Sequence, residues 1–279
     1  MLQLIVHADD FGMSKSVNDG VIKSFKEGIL TSASIMVNGG AFEDGVKLQK
    51  LNPSLDMGLH LTLVGERPVL PLYQVRSLLN GEDKFHNDSI AFLKKYFMGS
   101  IDFGQVEKEC EAQIKKALDF NLHISHLDSH QHIHILPGIF DIVYRLSKKY
   151  NIRYIRLPGE KFKLYMIKEK NKWRRITTMK SLHILSYFAG KRVKEKVDCF
   201  SGFFFDGYLD KRNFLTILNS LPSDGTCEIM CHPGMNKPDD LSNVSYHSEI
   251  EIDALINPDA KEVITAKKIS LISFSDLSI

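Results

Sequence analysis

The chain has 279 residues, of which 43% are hydrophobic and 25% charged, and its formal net charge is +2. These are the values of an ordinary soluble globular protein, long enough for one large core of the β/α barrel size. The near-balanced charge gives no reason to expect a nucleic-acid or membrane partner for the whole protein, and no stretch is apolar for long enough to cross a bilayer.

Met1 to Val6 run straight into Asp9, too short for the apolar core of a signal peptide. The four cysteines, Cys110, Cys199, Cys227 and Cys231, contain no Cys-x-x-Cys pair. Reduced, mostly buried thiols in a cytoplasmic protein are therefore expected.

Short apolar runs alternate with segments of helical period. Residues 2–8 predict a strand and 14–27 a helix opened by Ser14. A second strand is expected over 31–37, a helix over 41–51 and a third strand over 56–63. A loop-rich stretch follows, then a charged helix over about 104–120. The fourth strand is expected over 123–129, with Pro137 as the first residue of the next helix. Residues 152–157, 199–205 and 226–231 predict three more strands, and 270–274 an eighth. Strands alternating with helices imply an α/β fold with a parallel sheet. Between Glu160 and Lys196 twelve lysines and arginines stand against three glutamates, with apolar residues at helical spacing. This reads as a helical insertion with a solvated cationic face, in preference to a second domain or an anion-binding patch.

Polar residues collect at the strand ends. Four of the eleven histidines, with Asp128, fall within residues 126–134, the raw material of a metal site. In the third strand Leu59, Leu61 and Leu63 share one face, while Gly58, His60 and Thr62 share the other. Asp9 and Asp10 would face opposite ways in a regular strand. Two buried unpaired carboxylates are costly, so the pair belongs at the C-terminal end where Phe11-Gly12 turns the chain. In β/α folds that end is where sites assemble. His126, Asp128 and His130 share a face if the fourth strand stays extended, and His132 and His134 then fall in supporting or substrate-facing positions. His232 ends the seventh strand before Pro233-Gly234, with a pKa range suited to a general acid. Cys231 points the other way and reads as a buried thiol.

Taken together, five motifs resemble the YdjC-like carbohydrate deacetylases, a family that includes chitooligosaccharide deacetylases. They are His7-Ala8-Asp9-Asp10-Phe11-Gly12, Gly58-Leu59-His60-Leu61, the run His126 to His134, Arg156-Leu157-Pro158 and Cys231-His232-Pro233-Gly234. The motifs stand in the family's order and extend over nearly the whole chain. The resemblance implies a single-domain, irregular (β/α) TIM-like barrel of parallel strands over 1–279, carrying the basic insertion at about 160–196. It implies one divalent metal ion, Mg²⁺, on an Asp-His-His set that falls by position on Asp10, His60 and His130. Two imidazoles also suit Zn²⁺, Mn²⁺ or Co²⁺. It further implies Asp9 as general base, His232 as general acid, and Arg156 as a residue that orients a carboxylate or the substrate. His126, Asp128 and His132 are carried as substrate-binding or supporting residues. His7 departs from the asparagine more often found there, and adds a polar contact beside the metal's surroundings.

The expected reaction is hydrolysis of an N-acetyl group on an acetylated amino sugar such as a chitooligosaccharide, releasing acetate. The expected partner is a small oligosaccharide, with a homodimer compatible. Phe11, Tyr73, Trp173, Phe203 and Phe204 are scattered candidates for a sugar platform. Two rivals are a metal-dependent phosphodiesterase or nuclease on a similar barrel, and a sugar-binding protein without turnover. The first is short of bridging carboxylates, having Asp9, Asp10 and Asp128 near the site and Glu228 deeper in its strand. Asp9 and His232 argue against the second.

Overall fold

The structure, a computed structural model, describes residues 1–169, 172–235 and 248–277. In chain order the elements are β1 (Leu2–Phe11), α1 (Lys15–Glu27), β2 (Ser32–Ile35), α2 (Phe42–Leu51), β3 (Asp56–Leu61), α3 (Ser89–Phe97), α4 (Phe103–Asp119) and β4 (His126–Ser129). They continue with α5 (Ile139–Lys149), β5 (Tyr154–Ile155), α6 (Lys172–Gly190), β6 (Cys199–Ser201), α7 (Lys211–Asn219), β7 (Gly225–Cys231), α8 (Ser248–Leu255), α9 (Pro258–Ala266) and β8 (Ser270–Leu271). The strands pair in parallel in the order β5-β4-β3-β2-β1-β7-β6, with β8 added to β1. Among the described residues no ladder joins β5 to β6, so the sheet curls into a barrel with one open seam. This is the irregular α/β barrel expected from the sequence.

Local chemistry explains most boundaries. The Ser14 hydroxyl accepts from the Val17 N–H and opens α1, while Asp102 and Asp210 cap α4 and α7 in the same way. Pro137 does not begin a helix: Gly138 is the cap and α5 starts at Ile139. The helix α3, absent from the sequence reading, is capped by Asp88 and buries only Phe92, so it carries almost no periodic signal. The sixth strand stops at Ser201 because Gly202 turns at φ +112°, with a would-be Cβ 2.3 Å from the Met230 carbonyl oxygen. Only glycine fits there, and residues Phe203–Phe205 form a 3₁₀ turn instead of strand.

The two faces of the sheet bury different chemistry. Leu4, Val6, Ala33, Ile35, Leu59, Leu61, Leu127 and Ile229 face the helices and belong to the main apolar core. At the floor of the enclosed face Ile5, Tyr154, Ile272 and Phe274 cluster. Above them lie buried polar groups: His7, Ser32, Ser34, Asp56, His60, Asp128, Arg156 and Glu228. Barrels ordinarily fill that space with branched apolar side chains, so the polar column marks a site held from below. The column is anchored by the C-terminal segment. Asp56 accepts from the Phe274 N–H at 3.2 Å and the Ser275 hydroxyl at 2.5 Å, and the Phe274 ring stacks on His126 at 3.9 Å.

Candidate active site

Asp9 and Asp10 both reach the enclosed face, and the backbone shows how. Pairing of β1 with β2 shifts register between Ala8 and Phe11, and Asp10 adopts a left-handed φ of +64°. That bulge re-aims one carboxylate, so neighbours that a regular strand would point apart converge on one site. An aspartate tolerates this conformation better than most side chains, and such strain clusters at functional positions.

Asp10 Oδ1 lies 2.9 Å from His130 Nδ1 and 3.1 Å from His60 Nε2. The ligand atoms of these three residues all lie within 4.8 Å of one another. On its other side His60 Nδ1 is 2.9 Å from Asp128 Oδ1 and 3.0 Å from the Ser34 hydroxyl. A neutral His60 with its proton on Nδ1 turns the Nε2 lone pair toward the Asp10 oxygen. Two acceptors at that distance need a proton or a cation between them. Without a cation the proton stays. Burial pushes the His60 pKa down, but Asp128, Asp10 and Asp9 outweigh it and raise the ring to about 10. Burial likewise opposes the Asp10 charge, yet His130 and His60 hold this carboxyl well below its usual range. One carboxylate oxygen, two imidazoles and a carboxylate behind one imidazole fit a divalent ion.

Two other groupings have ligand chemistry, His7/His126/Asp128 and Asp9/His60/Asp128. Both are wholly buried, and Asp9 and Asp128 already have a cation. Arg156, 1% exposed, donates to both oxygens of Asp9 at 2.7 Å, to Glu228 Oε1 at 2.8 Å, and lies 2.8 Å from Asp128 Oδ2. It stands just beyond β5 and ties that edge strand to β1, β4 and β7, across the open seam. Burial disfavours the Asp9 charge, but Arg156 more than compensates and its pKa falls below the ordinary value. The Arg156 guanidinium is thus taken up by three carboxylates of the enclosed face.

His232 completes the cluster, with Nε2 3.9 Å from Asp9 Oδ2 and Nδ1 3.2 Å from Asp206 Oδ1. Its backbone N–H donates to Glu251 at 2.6 Å. Burial opposes the imidazolium, while Asp206, Asp9, Asp10 and Glu251 together raise its pKa to about 9. The ring therefore carries its proton at neutral pH. Sequence reasoning missed Asp206 and Glu251. Asp206 follows the apolar run Phe203–Phe205 as Asp9 follows Val6-His7-Ala8, and that pattern was its signal.

The turn carrying Asp206 rests on a buried carboxylate. Glu160 Oε2 accepts from the Phe204 N–H at 2.8 Å, and burial raises the Glu160 pKa from 4.5 to about 7. Between those values the folded chain holds a proton that the unfolded chain has lost, so this group lowers stability as pH rises through the window. A Glu160→Gln variant, which keeps an oxygen for Phe204, is expected to match the parent near pH 4 and exceed it at pH 8. Denaturant midpoints at both pH values check this; a variant weaker than the parent at pH 8 contradicts it.

The other residues singled out by the sequence are spread between the edge of the cluster, the barrel floor and the turn that follows β4. His126 is fully buried, stacked on Phe274 and next to His7, so of its two roles only support is open to it. A Cβ at Gly58 would come 2.2 Å from His126 Nε2, which explains the glycine. The strand does not stay extended through the histidine run. It turns at His130, with left-handed φ at Gln131 and His132, and the His132 ring lies against Phe200 and Phe203. His134 sits between the Ser129 hydroxyl at 2.6 Å and the Arg156 carbonyl at 2.9 Å, a structural role. His7 lies 3.1 Å from the hydroxyls of both Ser32 and Ser34 and 3.4 Å from Asp9 Oδ1. The Cys231 thiol donates to the His7 carbonyl and is buried, as expected. Phe11 and Phe204 are buried in the core, whereas Tyr73 and Trp173 are exposed.

Comparison with known proteins places the chain in a family. The family described as YdjC-like protein matches residues 3–266. A carbohydrate deacetylase of Thermoanaerobacter pseudethanolicus is 33% identical over 99% of this chain and 100% of its own. One from Brevibacillus brevis is 32% identical over the same shares, and a human carbohydrate deacetylase is 35% identical over 57% of this chain and 50% of its own. A crystal structure from Enterococcus faecalis, assigned to cellobiose-phosphate cleavage, superposes with a TM-score of 0.76 at 23% identity, covering 99% of both chains, and shares the fold. With a family match over nearly its whole length, the chain belongs to the YdjC-like family.

Proposed function

We propose that the protein is a metal-dependent carbohydrate deacetylase that hydrolyses the N-acetyl group of an acetylated amino sugar, such as a chitooligosaccharide, and releases acetate. The observation that carries this reading is the convergence of Asp10, His60 and His130 beside Asp9 and His232 at one end of the sheet. The names of the full-length relatives support the same chemistry. Residues 1–279 are read as one barrel, with about 160–196 as its insertion.

In this reading Asp10, His60 and His130 hold one divalent ion, Mg²⁺ by family resemblance, with Zn²⁺, Mn²⁺ and Co²⁺ suited by the two imidazoles. Bound there, such an ion would polarise a carbonyl and lower the pKa of water from about 15.7, to about 7 in the case of a suitably held Zn²⁺. Asp9 takes the proton of the attacking water. Arg156 donates to each Asp9 oxygen, which keeps the carboxylate ionised and aimed, while each oxygen retains a second lone pair. That clamp also weakens Asp9 as a base, so it suits a water that is already acidified. His232, protonated through Nε2 and held from behind by Asp206, gives its proton to the amine nitrogen as the C–N bond breaks. A two-metal phosphodiesterase is less well supported, because Arg156 already engages Asp9, Asp128 and Glu228 and leaves Asp10 as the one carboxylate of these four not on the guanidinium.

Metal-stripped protein, resupplied separately with Mg²⁺, Zn²⁺, Mn²⁺ or Co²⁺, is expected to release acetate from N,N′-diacetylchitobiose or a related oligosaccharide. Acetate that appears only with an ion supports the reading and identifies the ion. A metal-loaded protein that frees no acetate from any acetylated amino sugar rules it out.

A further inference from the structure

The basic segment between β5 and β6 has no role in the reaction as described so far. Its helix α6 nevertheless reaches the site. Arg175 Nη1 donates to the carbonyl oxygens of Phe204 at 2.7 Å and Asp206 at 3.2 Å. The guanidinium lies 5.2 Å from the centre of the Tyr208 ring, a cation–π distance. Phe204 is therefore gripped at both ends of its backbone, its N–H by Glu160 and its carbonyl by Arg175. Both residues belong to the same inserted segment. What they grip is the short turn that begins at Gly202 and presents Asp206 to His232 Nδ1 at 3.2 Å.

We propose that Arg175 is a positioning residue: by fixing the Phe204 and Asp206 carbonyls it holds the Asp206 carboxylate against His232, so that His232 Nε2 meets the leaving amine. The inference rests on the reading of His232 as the proton donor. Neutral or cationic surface chemistry does not account for it, because one guanidinium nitrogen serves two carbonyls of one turn. A half-buried arginine with two such bonds is built into the fold, unlike its exposed neighbour Arg174. A turn of three residues with a glycine hinge has few bonds of its own, so its set depends on what packs against it. The function of the insertion, on this account, is to carry that brace.

Leaving-group dependence tests the idea. An acetamide needs its amine protonated, whereas 4-nitrophenyl acetate expels a phenolate that needs no proton. In the full-length, metal-loaded protein Arg175→Met is expected to lower kcat on the N-acetyl sugar by about 10-fold, part of the 10²–10⁴ a general acid supplies. KM is expected to stay within about 2-fold and the ester rate to be nearly unchanged. Arg175→Lys, able to reach one carbonyl, is expected to recover part of the loss, and Arg174→Met to behave as the parent. Equal losses on amide and ester, or an Arg175→Met that matches Arg174→Met, overturn the proposal. His232→Ala separates the two ideas. If it loses the amide selectively and Arg175→Met does not, only the Arg175 role falls; if it shows no selectivity, the proton-donor reading falls and takes this inference with it.

Discussion

Arg156→Met is expected to cost about 3–5 kcal/mol of folding stability, the range for breaking a buried ion pair by removing one partner. Methionine matches the length of the arginine stem, so the loss is electrostatic more than steric. Asp9, Asp128 and Glu228 all contact this one guanidinium and are all buried, Asp128 alone having His60 as a second close partner among the three. A whole domain holds only about 5–15 kcal/mol, so the variant stands near the limit of folding. The defect has a sign with pH. Carboxylates that lose their counter-cation rise in pKa, and a folded state that binds protons more tightly than the unfolded chain weakens as pH increases. The variant is therefore expected to be least stable at alkaline pH and to recover on mild acidification. Denaturant unfolding across pH measures both effects. Adding Glu228→Gln should return part of the loss, since one of the stranded carboxylates is then gone. A single variant within about 1 kcal/mol of the parent at pH 8 would show that the three carboxylates are neutralised by something other than Arg156.

The sequence carried the β/α alternation because strands such as β2, β3 and β4 are buried on both faces and helices such as α1, α4 and α5 have one apolar side. It lost α3, which buries a single residue, and the end of β6, which is decided by a glycine's contact with the neighbouring strand. Of the site, the ligand-type residues were visible because they sit where apolar runs stop. Their depth was not. His126, Asp128 and His130 share a period of two, but each step of two residues moves about 6–7 Å along a strand. His126 therefore ends beside the floor of the barrel, while His130 meets Asp10. Alternation also predicted opposite directions for Asp9 and Asp10, and a bulge with one left-handed residue cancelled it. Arg156 had no visible partners, since Asp9, Asp128 and Glu228 come from three other strands. Pairing between residues 147 positions apart is a property of the closed sheet, not of any local pattern.

His130→Ala and Asp9→Asn are expected to suppress acetate release for different reasons, and the difference is measurable. In the proposed site His130 is one of three ligands, and its side chain, 12% exposed, is the most accessible of the three. Its removal leaves a carboxylate and one imidazole, so metal binding by titration calorimetry should be lost together with turnover. Asp9 lies outside that ligand set and is tied to Arg156 instead. Asp9→Asn keeps an oxygen for the guanidinium but removes the group that takes a proton, so metal binding should persist while kcat falls about 10²–10⁴-fold. The residual rate would come from the ion and from substrate orientation, which the substitution leaves alone. An Asp9→Asn protein that loses the metal as well makes Asp9 a ligand, which the buried grouping Asp9/His60/Asp128 would then explain. A His130→Ala protein that binds metal normally and still turns over moves the ion away from Asp10 altogether. The expected pattern, binding without turnover in one variant and neither in the other, assigns metal binding to the set that holds His130 and proton transfer to Asp9.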